Sequence, residues 1–291
     1  MNKPLSIVLI ILIAGILAGA QQPSAKPSAT QSQPGGKLPP QAKTQQEYKD
    51  YNTDYALSGG AAVEKAANDF AAKYPQSELR EYLYSKAMHE YQNENNTGKI
   101  LAMGEKVLSL DPDNAIALVL TATVLSDGLS DADQDREQKI AEIRKNCRHA
   151  LETVDTSFTP PPGATPEQIA AYKNTLQSMA HSALGIMELR TADDAGAEKD
   201  LRAAADLNKT QPDPYIWYHL ALAQDHLATA MADKDQQQKK YVEALASVTQ
   251  ALQYIGSNSD LGRLAQGERD RLQKLASLST PAPGDAGKPP Q

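Results

Sequence analysis

Large and small apolar residues recur at helical spacing along this chain, with polar residues between them. The pattern is clearest in the C-terminal half, where it occurs twice. Its members are Leu184, Gly185, Ala197, Leu201 and Ala204 in the first copy, and Trp217, Leu220, Ala221, Ala244, Val248 and Ala251 in the second. Residues at i, i+4 and i+7 share one helix face. Small residues let two helices approach closely, and large ones fill the groove between them. The pattern predicts two pairs of antiparallel helices that pack through these residues.

Recurrence of such pairs at a near-fixed period is typical of helical-repeat proteins. With these residues the chain resembles tetratricopeptide repeat (TPR) proteins. Two earlier units fit more loosely, one closed by Pro112 and one that runs from Leu118 to Ala150. A partial unit precedes them and ends in Tyr74-Pro75-Gln76-Ser77, which is similar to TPR-like units of bacterial envelope proteins. The resemblance implies an all-α fold, an α-α superhelix built as a TPR-like solenoid of antiparallel helix pairs, and a binding scaffold rather than an enzyme.

Periodicity, caps and helix breakers predict where the helices begin and end. They predict helices at 46–57, 61–73, 78–94, 99–110, 114–125, about 134–152 and 165–190, one after Gly196 that ends near 208, one that starts at Pro212 and Pro214, and a terminal capping helix at 259–278. No helix crosses Pro160-Pro161-Pro162. We therefore expect a first half of TPR-like units at 46–158 and a second half, with the capping helix, at 159–278.

The two ends of the chain differ in character from the part between them. Residues 1–20 predict a signal peptide, with Lys3, an apolar run and Ala18-Gly19-Ala20 before a cleavage point at Gln21. The alternative is an uncleaved membrane anchor, in which case the chain contacts a membrane only through this segment. Both interpretations predict export to the periplasm or cell envelope, or secretion. Residues 21–45 and 279–291 are rich in Pro, Gln and Ser or Gly, and predict disordered segments.

Composition narrows the functional classes. A net charge of −7 and a pI near 5.3 argue against nucleic acid as a partner. Cys147 is the only cysteine, so no intrachain disulfide is possible and packing must hold the fold together.

One cluster of acidic residues has the spacing of a calcium-binding loop. Asp131, Asp133, Asp135, Glu137 and Glu142 stand at positions 1, 3, 5, 7 and 12. However, Arg136 replaces the glycine that the sharp turn needs, which favours an acidic loop that precedes a helix N-terminus. His219 and His226 lie two helical turns apart, too far to share a metal. No catalytic or phosphate-binding motif is present, so the sequence predicts no catalytic residue, no metal ligand, no cofactor and no enzymatic activity.

The aromatic residues are mostly tyrosine, twelve against two Phe and one Trp. Many of them lie between 48 and 91, where they predict either a recognition surface or hydroxylated substitutes for Phe in the core. TPR ligands usually lie along the concave face lined by first helices. The resemblance therefore implies exposed partner-binding residues at Asn174, Gln177, Tyr218 and Gln224.

The functional hypothesis from the sequence is a non-catalytic scaffold of the bacterial cell envelope that binds a protein or peptide partner. Two alternatives remain open. One is a helical enzyme with an unrecognised site, and the other is a structural envelope protein that assembles with itself.

Overall fold

The computed structural model describes residues 40–158, 163–256 and 258–277. Within these ranges the chain forms eleven α-helices and no β-strand, which confirms the predicted all-α class. The signal peptide expected at 1–20, most of the linker expected at 21–45, the triple proline and the tail at 279–291 lie outside the described residues.

The observed helices follow the predicted ones closely. They are α1 (Gln45–Tyr55), α2 (Gly60–Lys73), α3 (Leu79–Asn93), α4 (Thr97–Leu110), α5 (Ala115–Gly128), α6 (Arg136–Ser157), α7 (Pro166–Arg190), α8 (Asp194–Leu207), α9 (Pro214–Ala230), α10 (Lys234–Tyr254) and α11 (Asp260–Ser277). The largest differences are at the ends of α5 and α6, which run to Gly128 and Ser157 instead of 125 and 152. The start of α8 differs as well. Gly196 does not precede α8 but lies in its first turn, because the Asp193 side chain caps the helix by accepting the Gly196 N–H.

Short polar side chains determine where several helices begin. Each accepts a hydrogen bond from a backbone N–H of the first turn, which has no partner inside the helix. The capping residues are Thr44, Asn96, Asn114, Asp193, Asp213 and Asp233. These local signals explain why helix starts can be predicted from the sequence.

The chain divides into two compact units, residues 1–183 and 184–291, and the boundary falls inside α7. The sequence instead suggested a division at the triple proline. The first part of α7 belongs with the first unit because it contacts the end of α6. The Tyr172 ring lies 6.0 Å from that of Phe158, and Lys173 Nζ is 3.2 Å from Asp155 Oδ1.

In the first unit, consecutive helices from α1 to α6 pack against one another in chain order. Their core contains aromatic and aliphatic side chains such as Tyr51, Phe70, Leu83, Met88 and Val107. Burial of this apolar surface is the main force that holds such a helical array together.

In the second unit, the residues expected at the helix contacts lie in the core. The large and small apolar residues that the repeat pattern places at the contacts of the two C-terminal helix pairs are buried, with one exception. Trp217 is half-buried and packs against the cluster that contains Leu201 and Leu220. Gly185 shows why a small residue is needed. A Cβ atom there would lie 2.6 Å from Leu201 Cγ and 3.2 Å from the Leu201 backbone nitrogen. At this contact α7 and α8 are too close together to leave room for a side chain at position 185.

Candidate functional site

A groove of about 790 Å³ runs along α3 in the first unit. Its walls come from the end of α1, the start of α5, the end of α6 and the segment before α1. The lining residues include Pro40, Gln41, Tyr55, Glu78, Arg80, Glu81, Tyr82, Ser85, Lys86, His89, Asp111, Asn114 and Phe158. This is the concave feature of the first unit that we consider as a functional site.

Helix α3 has two faces, and its sequence explains why one of them lines the groove. Leu79, Leu83 and Met88 point into the core and are fully buried. Tyr82 and Ser85 lie on a different face at helical spacing and remain partly exposed. The buried positions thus hold one side of α3 against the core, and the other side presents polar and aromatic side chains to the groove.

Aromatic rings make the groove partly apolar. The Tyr55 ring lies 5.4 Å from the Tyr51 ring, and Lys86 Nζ lies 5.1 Å from the Tyr55 centroid, within reach of a cation–π contact. Burial, and then the nearby carboxylates of Glu81 and Asp111, raise the pKa of Tyr82 far above its ordinary value. Its hydroxyl therefore stays protonated and can donate a hydrogen bond.

The charged groups of the groove are held by neighbours. The Asn114 amide donates to Glu81 Oε1 at 2.7 Å, and the Arg80 Nε–H donates to the Ser77 carbonyl at 2.7 Å. Lys86 pairs with a glutamate one turn further along α3. Burial lowers the pKa of His89, so this side chain is neutral near pH 7. The resulting surface combines apolar ring faces with fixed donors and acceptors, which suits binding of a peptide-like ligand.

One tyrosine beneath the groove has a polar atom without a partner. Tyr51 is fully buried, and its hydroxyl makes no hydrogen bond to any described residue. Burial, and then its neighbours Tyr55, Tyr82 and Glu81, raise its pKa. Tyr55, whose ring lies 5.4 Å from that of Tyr51, also lines the groove. Buried polar groups are normally hydrogen-bonded, so this donor without a partner is an exception in the core beneath the groove.

The four partner-binding residues suggested by the TPR resemblance are not part of this groove. Asn174 is exposed and Gln177 partly exposed on α7. Tyr218 is half-buried and packs against the core cluster of the second unit. The expectation that Gln224 is exposed is wrong, since only 1% of its surface is accessible.

Gln224 is buried because it connects three helices of the second unit. Its Oε1 accepts a hydrogen bond from the Ser247 hydroxyl at 2.8 Å, and its Nε2 donates to Glu198 Oε1 at 3.2 Å. Lys240 Nζ approaches the same Glu198 oxygen at 3.1 Å. A buried amide with its bonds made in this way stabilises packing and is not available to a partner.

The residues of the calcium-like loop are placed for other roles. Helix α6 already begins at Arg136, so the segment cannot stay in the open conformation that a twelve-residue calcium loop needs. Arg136 lies 3.3 Å from Asp131, while Lys139 Nζ lies 3.1 Å from Asp133 and 3.0 Å from Asp135. Within the described ranges, no group of three or more His, Cys, Asp or Glu side chains is placed to hold a metal ion.

The two histidines of α9 make separate contacts. The His219 Nδ1–H donates to the Tyr215 carbonyl at 2.8 Å, and burial lowers the pKa of His219 to about 4. His226 instead lies 2.8 Å from Asp194 Oδ1. Each imidazole thus has a different partner, and the two do not converge on one site.

No family model matches the chain, and no curated protein matches it. Among the helices of the described residues, none is both long and apolar enough to cross a membrane.

Proposed function

We propose that this protein is a non-catalytic, TPR-like scaffold of the bacterial cell envelope whose first unit binds a protein or peptide partner. The observation that carries the proposal is the groove along α3, with its tyrosine rings and fixed polar groups. The export and envelope location in this proposal are supported by the sequence of residues 1–20 and by the Tyr-Pro-x-Ser ending of the first repeat.

The lining of the groove supports the comparison with ligand binding in TPR proteins. Helices α1, α3 and α5 are the first helices of successive pairs, and all three contribute to its lining or to its immediate border, through Tyr55, Tyr82 and Ala115. In the TPR family, partners usually lie along the surface formed by first helices. The packing of helix pairs in chain order supports the same interpretation.

The dimensions of the groove suit an extended segment. Helix α3 has 15 residues and so runs for about 22 Å at ~1.5 Å per residue. A stretch of about six or seven extended residues covers that length at ~3.3 Å each. Tyrosines and polar side chains in such a groove provide ring stacking, together with hydrogen bonds to a peptide backbone.

The proposal is tested with a variant that fills the groove and a matched control. Ser85→Arg places a long side chain on the groove face of α3, while Ala72→Arg places the same side chain on an exposed position of α2 outside the lining. Both proteins are produced at native level, crosslinked in living cells and purified, and the captured proteins are quantified by mass spectrometry.

We expect Ser85→Arg to lose a defined partner that the parent and Ala72→Arg both retain. Circular dichroism must show that both variants are folded. Equal capture by all three proteins would contradict the proposal. Capture of a second copy of this chain alone would favour the self-assembling structural protein.

A further inference from the structure

We propose that the groove along α3 binds a proline-rich segment of a partner protein in the polyproline II conformation, and that Tyr82 and Arg80 donate hydrogen bonds to its carbonyl groups. The inference rests on the proposed function, because it names the kind of segment that the peptide-binding groove takes. The occupant is a segment of another protein, recognised by its proline rings and its backbone acceptors.

The first argument is that two strong hydrogen-bond donors of the lining are free. The Arg80 Nε–H donates to the Ser77 carbonyl at 2.7 Å, and Arg80 makes no other hydrogen bond or ion pair with the described residues. Its two terminal nitrogens are therefore available, while the bond to Ser77 keeps the guanidinium in place. Tyr82 is partly exposed, and its hydroxyl has no hydrogen bond to any residue in the described ranges.

Most acceptors of the lining, in contrast, are already in use. Glu81 accepts a hydrogen bond from the Asn114 amide at 2.7 Å, and Asn114 Oδ1 accepts one from the Ala117 N–H at 2.9 Å. Asp111 is engaged with another group as well. Glu78 is exposed, so its carboxylate is hydrated. A ligand that brings acceptors and few donors therefore matches this lining best.

A polyproline II segment has this hydrogen-bonding character. It makes no internal hydrogen bonds, so its carbonyl oxygens remain available as acceptors. Proline has no N–H and contributes an acceptor alone. An ordinary extended peptide would instead bring one N–H per residue into a groove with few free acceptors, and a buried donor without a partner costs free energy.

The aromatic rings of the groove are held in positions where proline rings can pack against them. The Tyr55 ring lies 5.4 Å from the Tyr51 ring, and the Phe158 ring lies 6.0 Å from the Tyr172 ring. Tyr55 and Phe158 both line the groove, and so does Pro40 of this chain. A proline is thus already part of this surface, and grooves lined by aromatic rings are the usual binding sites of polyproline II segments.

The length of the groove suits such a segment. Helix α3 has 15 residues and runs for about 22 Å. A polyproline II helix advances ~3.1 Å per residue, so about seven residues cover this distance. Because the conformation is already formed before binding, the segment loses little conformational entropy, and a small number of contacts is enough for recognition.

The test measures binding of defined peptides to the full chain by fluorescence anisotropy. The probe is a labelled L-proline peptide of about ten residues. Two peptides of the same length serve as controls, one of D-proline, which forms the mirror-image helix with the same chemical groups, and one of glycine and serine, which is flexible. We expect the L-proline peptide to bind at least about tenfold more tightly than either control, because only it combines the correct hand with a preformed conformation.

Variants identify the donors and the groove. Tyr82→Phe removes only the hydroxyl and should weaken binding of the L-proline peptide about fivefold, the effect of one hydrogen bond. Tyr254→Phe, the same change at an exposed position of α10, should leave the affinity unchanged. Ser85→Arg should abolish binding, because its side chain fills the groove. Circular dichroism confirms the fold of each variant.

Two results would overturn the inference. One is equal binding of the L-proline and D-proline peptides, which includes the case in which neither binds. The other is an affinity for the L-proline peptide that Tyr82→Phe and Ser85→Arg leave unchanged, since the peptide would then bind outside the groove.

This outcome is separate from that of the proposed function. If Ser85→Arg loses its partner in cells while the L-proline peptide does not bind, the binding groove stands and its preference for proline is refuted. If the L-proline peptide binds in the groove but Ser85→Arg captures the same proteins as the parent, the proline site stands and the partner-binding function of the groove is refuted.

Discussion

Substitution of Gly185 by leucine tests the helix contact on which the repeat interpretation depends. Even the first atom of a side chain at this position would lie 2.6 Å from Leu201 Cγ and 3.2 Å from the Leu201 backbone nitrogen, and Leu201 is fully buried. Overpacking of this kind costs ~1–3 kcal/mol. Replacing glycine inside a helix gains up to ~1 kcal/mol from helix propensity. The free energy of unfolding should therefore fall by about 1–2 kcal/mol.

Trp217 provides the assay, because it is the only tryptophan of the chain and packs against the cluster that contains Leu201. Urea unfolding followed by its fluorescence reports on the second unit. With a slope of about 2 kcal/mol per molar urea, the midpoint should fall by about 0.5–1 M. Gly267→Leu is the matched control, since Gly267 lies in α11 with open space around it and should gain stability. A Gly185→Leu protein as stable as the parent would refute the contact.

Three further predictions concern other parts of the molecule. Hydrogen bonds from Lys73 and Tyr74 lower the pKa of Asp50 from 3.8 to about 2, so its contribution to stability is present above about pH 4 and is lost as the pH falls towards 2. The unfolding midpoint of Asp50→Asn should accordingly change less than that of the parent between pH 4 and pH 2. Gln224→Leu should destabilise the second unit by ~1–3 kcal/mol in urea unfolding, because Ser247 loses its buried partner; an unchanged midpoint would argue against this. Millimolar calcium should leave the melting temperature unchanged, and a clear rise in differential scanning fluorimetry would show that the acidic loop binds the ion.

Much of the fold can be predicted from the sequence because its signals are local. Helix starts such as those at Asn114 and Asp193 follow from a capping side chain and the polar or apolar character of the next turn. The contacts around Gly185 and Leu201 follow from a size pattern repeated within about twenty residues. The division inside α7 is harder to predict, since it depends on what the two ends of one continuous helix contact.

The candidate site was less predictable because its residues come from segments far apart in the chain. The abundance of tyrosine between 48 and 91 was the one feature of the sequence that pointed to this region, and these tyrosines have two different roles in the structure. Tyr51, Tyr84 and Tyr91 are core residues, whereas Tyr55 and Tyr82 line the groove. Spacing along one helix cannot separate these roles, because the difference depends on which neighbouring helix covers each face.

Gln224 is an example of a residue that was predicted to be exposed and is buried in the structure. A glutamine on a first helix is usually exposed, and only the positions of α8 and α10 reveal that Glu198 and Ser247 satisfy its amide inside the protein. Binding residues chosen from one helix at a time therefore miss both buried polar contacts and grooves that several helices form together.

The most direct test of the binding scaffold is site-specific photo-crosslinking in the cells that produce the protein. A photoreactive amino acid is placed at position 85, inside the groove, and in a second strain at position 72, on the exposed surface of α2. The account predicts a discrete crosslinked product with another protein from position 85 and none from position 72. A partner that crosslinks from position 72 and not from position 85 would contradict it.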